Sequence, residues 1–317
     1  MKGVWLENKE LTFRYDIPED FAKDEVLVKV LRSGICNTDI ELMKGYYPYT
    51  GIIGHEFVGE VVDKTSELYS KRVVGEINCC CHQCRFCLEG MKSHCSKRTV
   101  MGIINRSGTH AEYLTLPAEN LLPVPENVSN SDACFVEPLA AALEIQEQLK
   151  FTEKHKVAII GDGKLGLLIA KTIALTPSQL TVFGRHHEKL DILKNDNLQT
   201  RIGVESSDAS AFDIVVECTG NEDAFNQAIN LLRPRGTLVM KSTHEGNTKI
   251  NAAAVVVKEL TLIGSRCGPF DKALALFEQR KIDLTGLLQK TFPLTEAMDA
   301  FEHAQKKGVM KVQLVNE

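Results

Sequence analysis

One stretch constrains this chain more than any other. A β-branched, apolar run at 156–160 passes straight into Gly161-Asp162-Gly163-Lys164-Leu165-Gly166 and then into an apolar, helix-like segment. A strand feeding a helix through three spaced glycines reads as the opening of a dinucleotide-binding βαβ unit. Gly161 makes the tight turn, Gly163 lets the backbone approach a pyrophosphate, and Gly166 permits close helix packing. Lys164 and Leu165 open the helix, whose oriented N–H groups and dipole favour phosphate. Further strands expected at 180–183, 214–217, 237–241 and 260–263, with helices at 165–175 and 224–232, continue the alternation of a doubly wound parallel sheet. The second strand closes on Phe183-Gly184-Arg185-His186, where an NAD-binding chain normally places an Asp or Glu for the ribose 2′-hydroxyl. Arg185 instead offers a planar charged fork suited to a 2′-phosphate, with His186 beside it and Gly184 leaving room. The sequence therefore predicts NADP(H) in preference to NAD(H).

Upstream the grammar differs. Short β-branched runs at 25–31, 57–63, 72–77 and 111–116 are separated by Gly, Pro, Asn and Ser, as in a mostly β domain. The change falls near Glu137, before a helix expected at 138–149. After Gly264 come a helix at 270–280, a segment at 289–292, a helix at 294–306 and a strand at 309–315, expected to fold back onto the first domain. The 317 residues suffice for two cores. The expected division is 1–137 with 269–317, and 138–268.

Six of the ten cysteines, Cys79, Cys80, Cys81, Cys84, Cys87 and Cys95, crowd one polar segment. Cys81-x2-Cys84-x2-Cys87-x7-Cys95 can wrap four thiolates around one tetrahedral ion, and four sulfurs leave no open position, so the site reads as structural zinc. Its neighbours His82, Gln83, Arg85, Glu89 and Lys92 argue against buried filler. Cys79 and Cys80 fall outside the spacing. The amino-terminal segment has no apolar stretch of the signal-peptide kind, so a cytoplasmic location, with reduced thiols, is expected. A net charge of −5 with scattered basic residues gives no footprint for nucleic acid, and no apolar run is long enough for a membrane span. Small-molecule chemistry is the remaining class.

Together these motifs resemble the zinc-dependent medium-chain dehydrogenase/reductase family, the alcohol and polyol dehydrogenases, over nearly the whole chain. Gly34-Ile35-Cys36-Asn37-Thr38-Asp39, Gly54-His55-Glu56-Phe57-Val58-Gly59, Gly108-Thr109-His110-Ala111-Glu112-Tyr113 and Phe135-Val136-Glu137-Pro138 carry the likeness beside the two loops above. The resemblance implies a GroES-like, mostly β catalytic domain with two zinc sites joined to a Rossmann domain. It implies a catalytic zinc on Cys36 and His55, with Glu56 or Glu137 completing the set. A thiolate, an imidazole and a carboxylate would leave one position for an alcohol or carbonyl oxygen. By the same likeness Thr38 passes the substrate proton outward, Asp39 orients His55, and Glu41 stands where relatives carry a relay histidine. Cys218 and Thr219 would border the coenzyme, Ser265 would lie near the nicotinamide, and Lys311 would approach the pyrophosphate unless it is an ordinary surface lysine.

The expected activity is hydride transfer between a secondary alcohol or polyol, or its carbonyl, and NADP(H), at a cleft between the domains. Family habit implies a homodimer or homotetramer. Two alternatives stand beside it: a zinc-free quinone or enone reductase of the same superfamily, and a non-enzymatic nucleotide or redox sensor.

Overall fold

The computed structural model describes residues 1–242 and 248–316. It divides into two compact units, Met1–Glu137 with Phe270–Glu317, and Pro138–Pro269.

The first unit is built on a seven-stranded sheet. Its path runs Leu121–Pro123, Arg72–Gly75, Glu56–Val61, Val26–Ile35, Lys311–Val315, Leu288–Pro293, with Tyr113–Leu116 also paired to Val26–Ile35. The long strand Val26–Ile35 alternates buried and half-buried positions until Ser33, Gly34 and Ile35, which are all buried. That shift marks where the strand enters the polar interior of the unit. The carboxy-terminal strand lies antiparallel to it, Val312 opposite Ile35 and Gln313 opposite Gly34, while Glu56 sits opposite Gly34 on its other side. Residues far apart in sequence thus meet across one strand. A core of Val4, Leu6, Ile35, Leu42, Phe301, Val312 and Leu314 packs beside this crossing; full burial of each such side chain contributes roughly 1.5–3 kcal/mol.

Several elements of this unit lie outside the pattern read from sequence, three of them near the cysteines or the amino terminus. A hairpin pairs Gly3–Glu7 with Glu10–Arg14, the helix Asn37–Lys44 follows Cys36, and the ribbon Asn78–Cys79 with Thr99–Val100 closes the base of the cysteine loop. The expected helix at 294–306 is a 3-10 turn, Leu294–Glu296, followed by Ala297–Ala304.

The second unit is a six-stranded sheet with every pair parallel, ordered Gln199–Ile202, Gln179–Gly184, Lys156–Ile160, Phe212–Glu217, Leu232–Met240, Thr261–Gly264. The strand Lys156–Ile160 is buried from Val157 onward, as a central parallel strand covered on both faces requires. The strand Gln199–Ile202 was not foreseen: its polar sequence and exposed pattern suit an edge rather than the core. The helix Ala252–Val257 was also not foreseen. No helix among the described residues is long and apolar enough to cross a membrane.

Candidate functional site

Cys36 stands where the strand Val26–Ile35 gives way to the helix Asn37–Lys44. The Asp39 carboxylate accepts a hydrogen bond from the Cys36 backbone N–H at 2.8 Å, closing the first helical turn. An acidic residue in a first turn also suits the helix dipole. Beside it, Glu56, which opens the strand Glu56–Val61, and His55 just before it are buried. Gly34 makes their approach possible, since a Cβ there would lie 2.2 Å from Glu56 Oε2. One ligand atom from each of Cys36, His55 and Glu56 falls within 4.8 Å of the others. Glu137, in the first turn of the helix Val136–Gln148, does not belong to that group among the described residues. Burial pushes its carboxyl up to about 7, with His55 opposing and Glu56 adding to the rise.

The surroundings fit a cation. His55 Nδ1 faces Asp39 Oδ1 at 3.3 Å, which leaves the other ring nitrogen as the donor. Burial works against a charged His55, yet Asp39 and the Cys36 sulfur raise its pKa well above the usual imidazole range. A sulfur, an imidazole and a carboxylate are the donor types of a zinc with one free position. Thr38 Oγ1 lies 3.7 Å from Cys36 Sγ, at the edge of the cluster. Glu41 is paired with Lys44 at 2.8 Å along the helix.

Lys311 corrects an expectation. Its ammonium donates to both carboxylate oxygens of Glu56 at 2.6 Å and to the Ile35 carbonyl at 3.3 Å, and the residue is 3% exposed. Burial lowers its pKa, and the Glu56 charge more than offsets this. A lysine enclosed in this way is not the ordinary surface lysine that its sequence context also allows. The register of its strand against Val26–Ile35 turns it inward, which the local pattern Gly-x-x-Lys-Val does not reveal.

The four expected sulfurs of the cysteine loop also converge, with ligand atoms within 4.8 Å of one another. Sulfur separations are 3.5 Å for Cys84–Cys87, 3.8 Å for Cys84–Cys95 and 3.5 Å for Cys81–Cys95. A tetrahedron with Zn–S bonds near 2.3 Å has edges of about 3.8 Å, so the cage fits zinc with little adjustment. Backbone N–H groups of Cys87 and Ser96 hold Cys84 down at about 5, and Cys95 Sγ accepts from the N–H groups of Cys81 and Lys97 at 3.3 and 3.4 Å. No disulfide joins any of the ten cysteines among the described residues. Cys79 is buried and Cys80 lies 3.5 Å from His82 Nε2, both outside the cage.

In the second unit, Gly163 caps the helix Lys164–Ile173. A Cβ on Gly166 would sit 2.3 Å from the Gly161 carbonyl, so the helix packs against its own loop only because that position is glycine. Cys218, expected beside the coenzyme, bonds its thiol to the Ile160 carbonyl at 3.1 Å and packs beneath the loop. Thr219 donates through both N–H and hydroxyl to Glu217 Oε1 at 2.6 Å. Ser265 accepts from Lys241 Nζ at 3.1 Å.

The end of the strand Gln179–Gly184 does hold a carboxylate, contrary to the reading from its own residues. Asp162, from the glycine loop, accepts on Oδ2 from the N–H groups of Arg185 at 2.6 Å and His186 at 2.8 Å, and from His186 Nδ1 at 2.9 Å. Burial alone would raise Asp162, but these N–H donors hold it below the usual carboxylate range. His186 is thereby committed to Asp162, while Arg185 is exposed and its guanidinium has no ion pair among the described residues. The acid inside the motif was the one signal that could have disclosed this contact.

A GroES-like fold and a Rossmann-like parallel sheet, with a Cys–His–Glu cluster and a four-cysteine loop, are the parts of the zinc-type alcohol dehydrogenase architecture. Family models agree: the alcohol dehydrogenase GroES-like domain matches residues 22–126 and the zinc-binding dehydrogenase domain matches 196–279. The chain belongs to the medium-chain dehydrogenase/reductase family of alcohol and polyol dehydrogenases. It is 28% identical to the erythritol/L-threitol dehydrogenase of Mycolicibacterium smegmatis, over 92% of this chain and 90% of that one. It is 26% identical to D-arabinitol dehydrogenase 1 of Uromyces fabae, over 94% and 95%. A Sinorhizobium meliloti structure with bound NADP superposes with a TM-score of 0.89 at 26% identity, covering 99% and 98% of the two chains.

Proposed function

We propose that the chain is a zinc-dependent oxidoreductase that moves a hydride between a secondary alcohol or polyol, or the corresponding carbonyl, and NADP(H). The observation that carries this reading is the convergence of half-buried Cys36 with buried His55 and Glu56, one ligand atom of each lying within 4.8 Å of the others. The polyol substrates named for the relatives above support the substrate class. Zinc on those three residues supplies Lewis-acid polarisation of the substrate oxygen, and the nicotinamide supplies or accepts the hydride. Cys36, His55 and Glu56 would hold the ion, and Asp39 keeps His55 in the tautomer whose other ring nitrogen is free to ligate. Thr38 carries the hydroxyl that accepts the substrate proton and hands it outward. Glu137 stands by as the exchange partner of Glu56, whose oxygens are held by Lys311.

A second zinc in the cage of Cys81, Cys84, Cys87 and Cys95 holds the polar loop in shape and takes no part in the chemistry. In the nucleotide unit, Gly161, Gly163 and the helix opened by Lys164 and Leu165 receive the pyrophosphate. Arg185, exposed and without an ion pair among the described residues, is the group assigned to the 2′-phosphate. The test is zinc content of protein purified without chelators, followed by NADP+-linked oxidation across a polyol panel. About two zinc per chain, from one four-sulfur and one open site, with NADP+ reduction is the expected result. One zinc per chain that titration does not raise, with no turnover, would overturn the reading in favour of the zinc-free reductase or the sensor.

A further inference from the structure

His110 has been given no role so far, yet it lies in the middle of a buried polar chain of the first unit. Asp39 and His110 are each 0% exposed, His55 is 4% and Ser33 is 2%. Asp39 Oδ1 faces His55 Nδ1 at 3.3 Å, Asp39 Oδ2 faces His110 Nε2 at 3.5 Å, and His110 Nδ1 lies 2.8 Å from Ser33 Oγ. The Asp39 carboxylate thus stands between two imidazoles while also accepting from the Cys36 N–H. Burial raises its pKa, and His55 and His110 together hold it far below the usual carboxylate range.

The backbone shows how His110 is delivered to this point. The segment before it is stitched to the one before His55: Gly108 N–H donates to the Ile52 carbonyl, Thr109 to Gly54 and His110 to Ile53, at 2.7, 3.0 and 3.0 Å. Gly54 keeps the two segments in contact, since a Cβ there would lie 2.6 Å from Thr109 Oγ1 and 2.7 Å from the His110 ring. Phe301 meets the same ring edge-on at 5.5 Å. Asp39 Oδ1, His55 Nδ1 and His110 Nε2 are buried and make no properly aligned hydrogen bond. Two imidazole nitrogens thus flank one carboxylate without an aligned hydrogen bond, an arrangement that carries a desolvation cost in this buried interior.

We infer that His110 is a positioning residue for the metal centre: braced by Ser33 and Phe301, it fixes the Asp39 carboxylate, which in turn aims His55 and the Cys36 backbone. A carboxylate held from one side alone could rotate away from either ligand. With Ser33 donating to Nδ1, His110 presents Nε2–H to Asp39, so the brace needs no charge on His110. The inference rests on the reading of Cys36, His55 and Glu56 as a zinc site.

The test uses the full zinc-loaded protein and three variants. His110→Phe keeps the ring against Phe301 but removes both nitrogens, His110→Gln restores one N–H donor, and Ser33→Ala removes only the bracing hydroxyl. For His110→Phe we expect affinity at the open zinc site to fall about 10–100-fold, with the four-sulfur zinc retained and the cobalt(II) ligand-field bands of the open site displaced. His110→Gln should recover most of the loss, and Ser33→Ala should show a smaller change in the same direction. Wild-type affinity and an unshifted cobalt spectrum in His110→Phe would overturn the inference. So would equal weakening of both zinc sites, or a His110→Gln protein no better than His110→Phe. If His110→Phe fails to fold, an unchanged open-site affinity in Ser33→Ala overturns the inference. A wild-type chain that takes up only one zinc would instead remove the underlying zinc reading, a result visible before any variant is made.

Discussion

The two cysteine-bearing clusters of the first unit are built on opposite principles. The four-sulfur cage comes from one polar loop of 15 residues, Cys81 to Cys95, whose ligands are near neighbours in sequence and whose helices are only a turn long. The Cys36, His55 and Glu56 cluster is assembled at the ends of paired strands, Cys36 just after Val26–Ile35 and His55 and Glu56 where Glu56–Val61 begins, with Glu56 held by a buried side chain 255 positions away. A local cage depends on its ion for shape; a site braced by a sheet is preorganised and can leave a position open.

The largest contrast is expected from Cys36→Ala. It should cut NADP+-linked turnover about 10³-fold or more, because Lewis-acid stabilisation is worth several kcal/mol, while melting temperature and NADPH binding stay near wild type. Activity within tenfold of wild type would break the contrast. Cys95→Ala should do the reverse: zinc content falls by one and unfolding free energy by several kcal/mol, with the folded fraction still turning over. Lys311→Met probes the brace itself. Leaving Glu56 buried without its cation should cost about 3–5 kcal/mol, measurable by urea unfolding, and an undisturbed transition midpoint would show that the pair does not carry the site.

Arg185→Asp shifts the comparison to the nucleotide unit. The NADPH dissociation constant should rise about 10–100-fold, the worth of charge-assisted hydrogen bonds, with NADH little affected; unchanged NADPH binding would remove the 2′-phosphate assignment. The smallest effect belongs to Asp162→Asn. Asp162 is held below its unfolded carboxylate value, so its stabilisation is present above about pH 4 and is lost as pH falls through the lower folded value. The variant should melt about 2 °C below wild type at pH 7, and the gap should close as the solution is acidified below pH 4. A gap that widens on acidification would reverse the sign of this contribution.

What could be read from sequence followed the same divide. The glycine loop and the cysteine loop declare themselves because their chemistry is contiguous, and the buried strands of the parallel sheet because they are continuous apolar runs. Cys36, His55 and Glu56 could be paired only by resemblance. Lys311 was misjudged because its partner lies 255 positions away and is chosen by strand register. Asp162 escaped because the carboxylate at the end of one strand is supplied by the loop after another. The helix Asn37–Lys44 is too short for its periodicity to stand out, although Asp39 in its first turn and Gly45 at its end mark both boundaries.

The Lys311–Glu56 pair has a consequence in time. Glu56 is synthesised 255 residues before the cation that neutralises it, and at about 5–20 residues per second that interval is roughly ten to fifty seconds. Throughout it the emerging first unit lacks the strand that carries Lys311 and one counter-charge of its polar interior. The cysteine loop, complete within its own 15 residues, can close around an ion early in synthesis. Maturation of the two clusters is therefore ordered by chain topology, with the sheet-built cluster finished only when the last strand docks beside the strand that leads to Cys36.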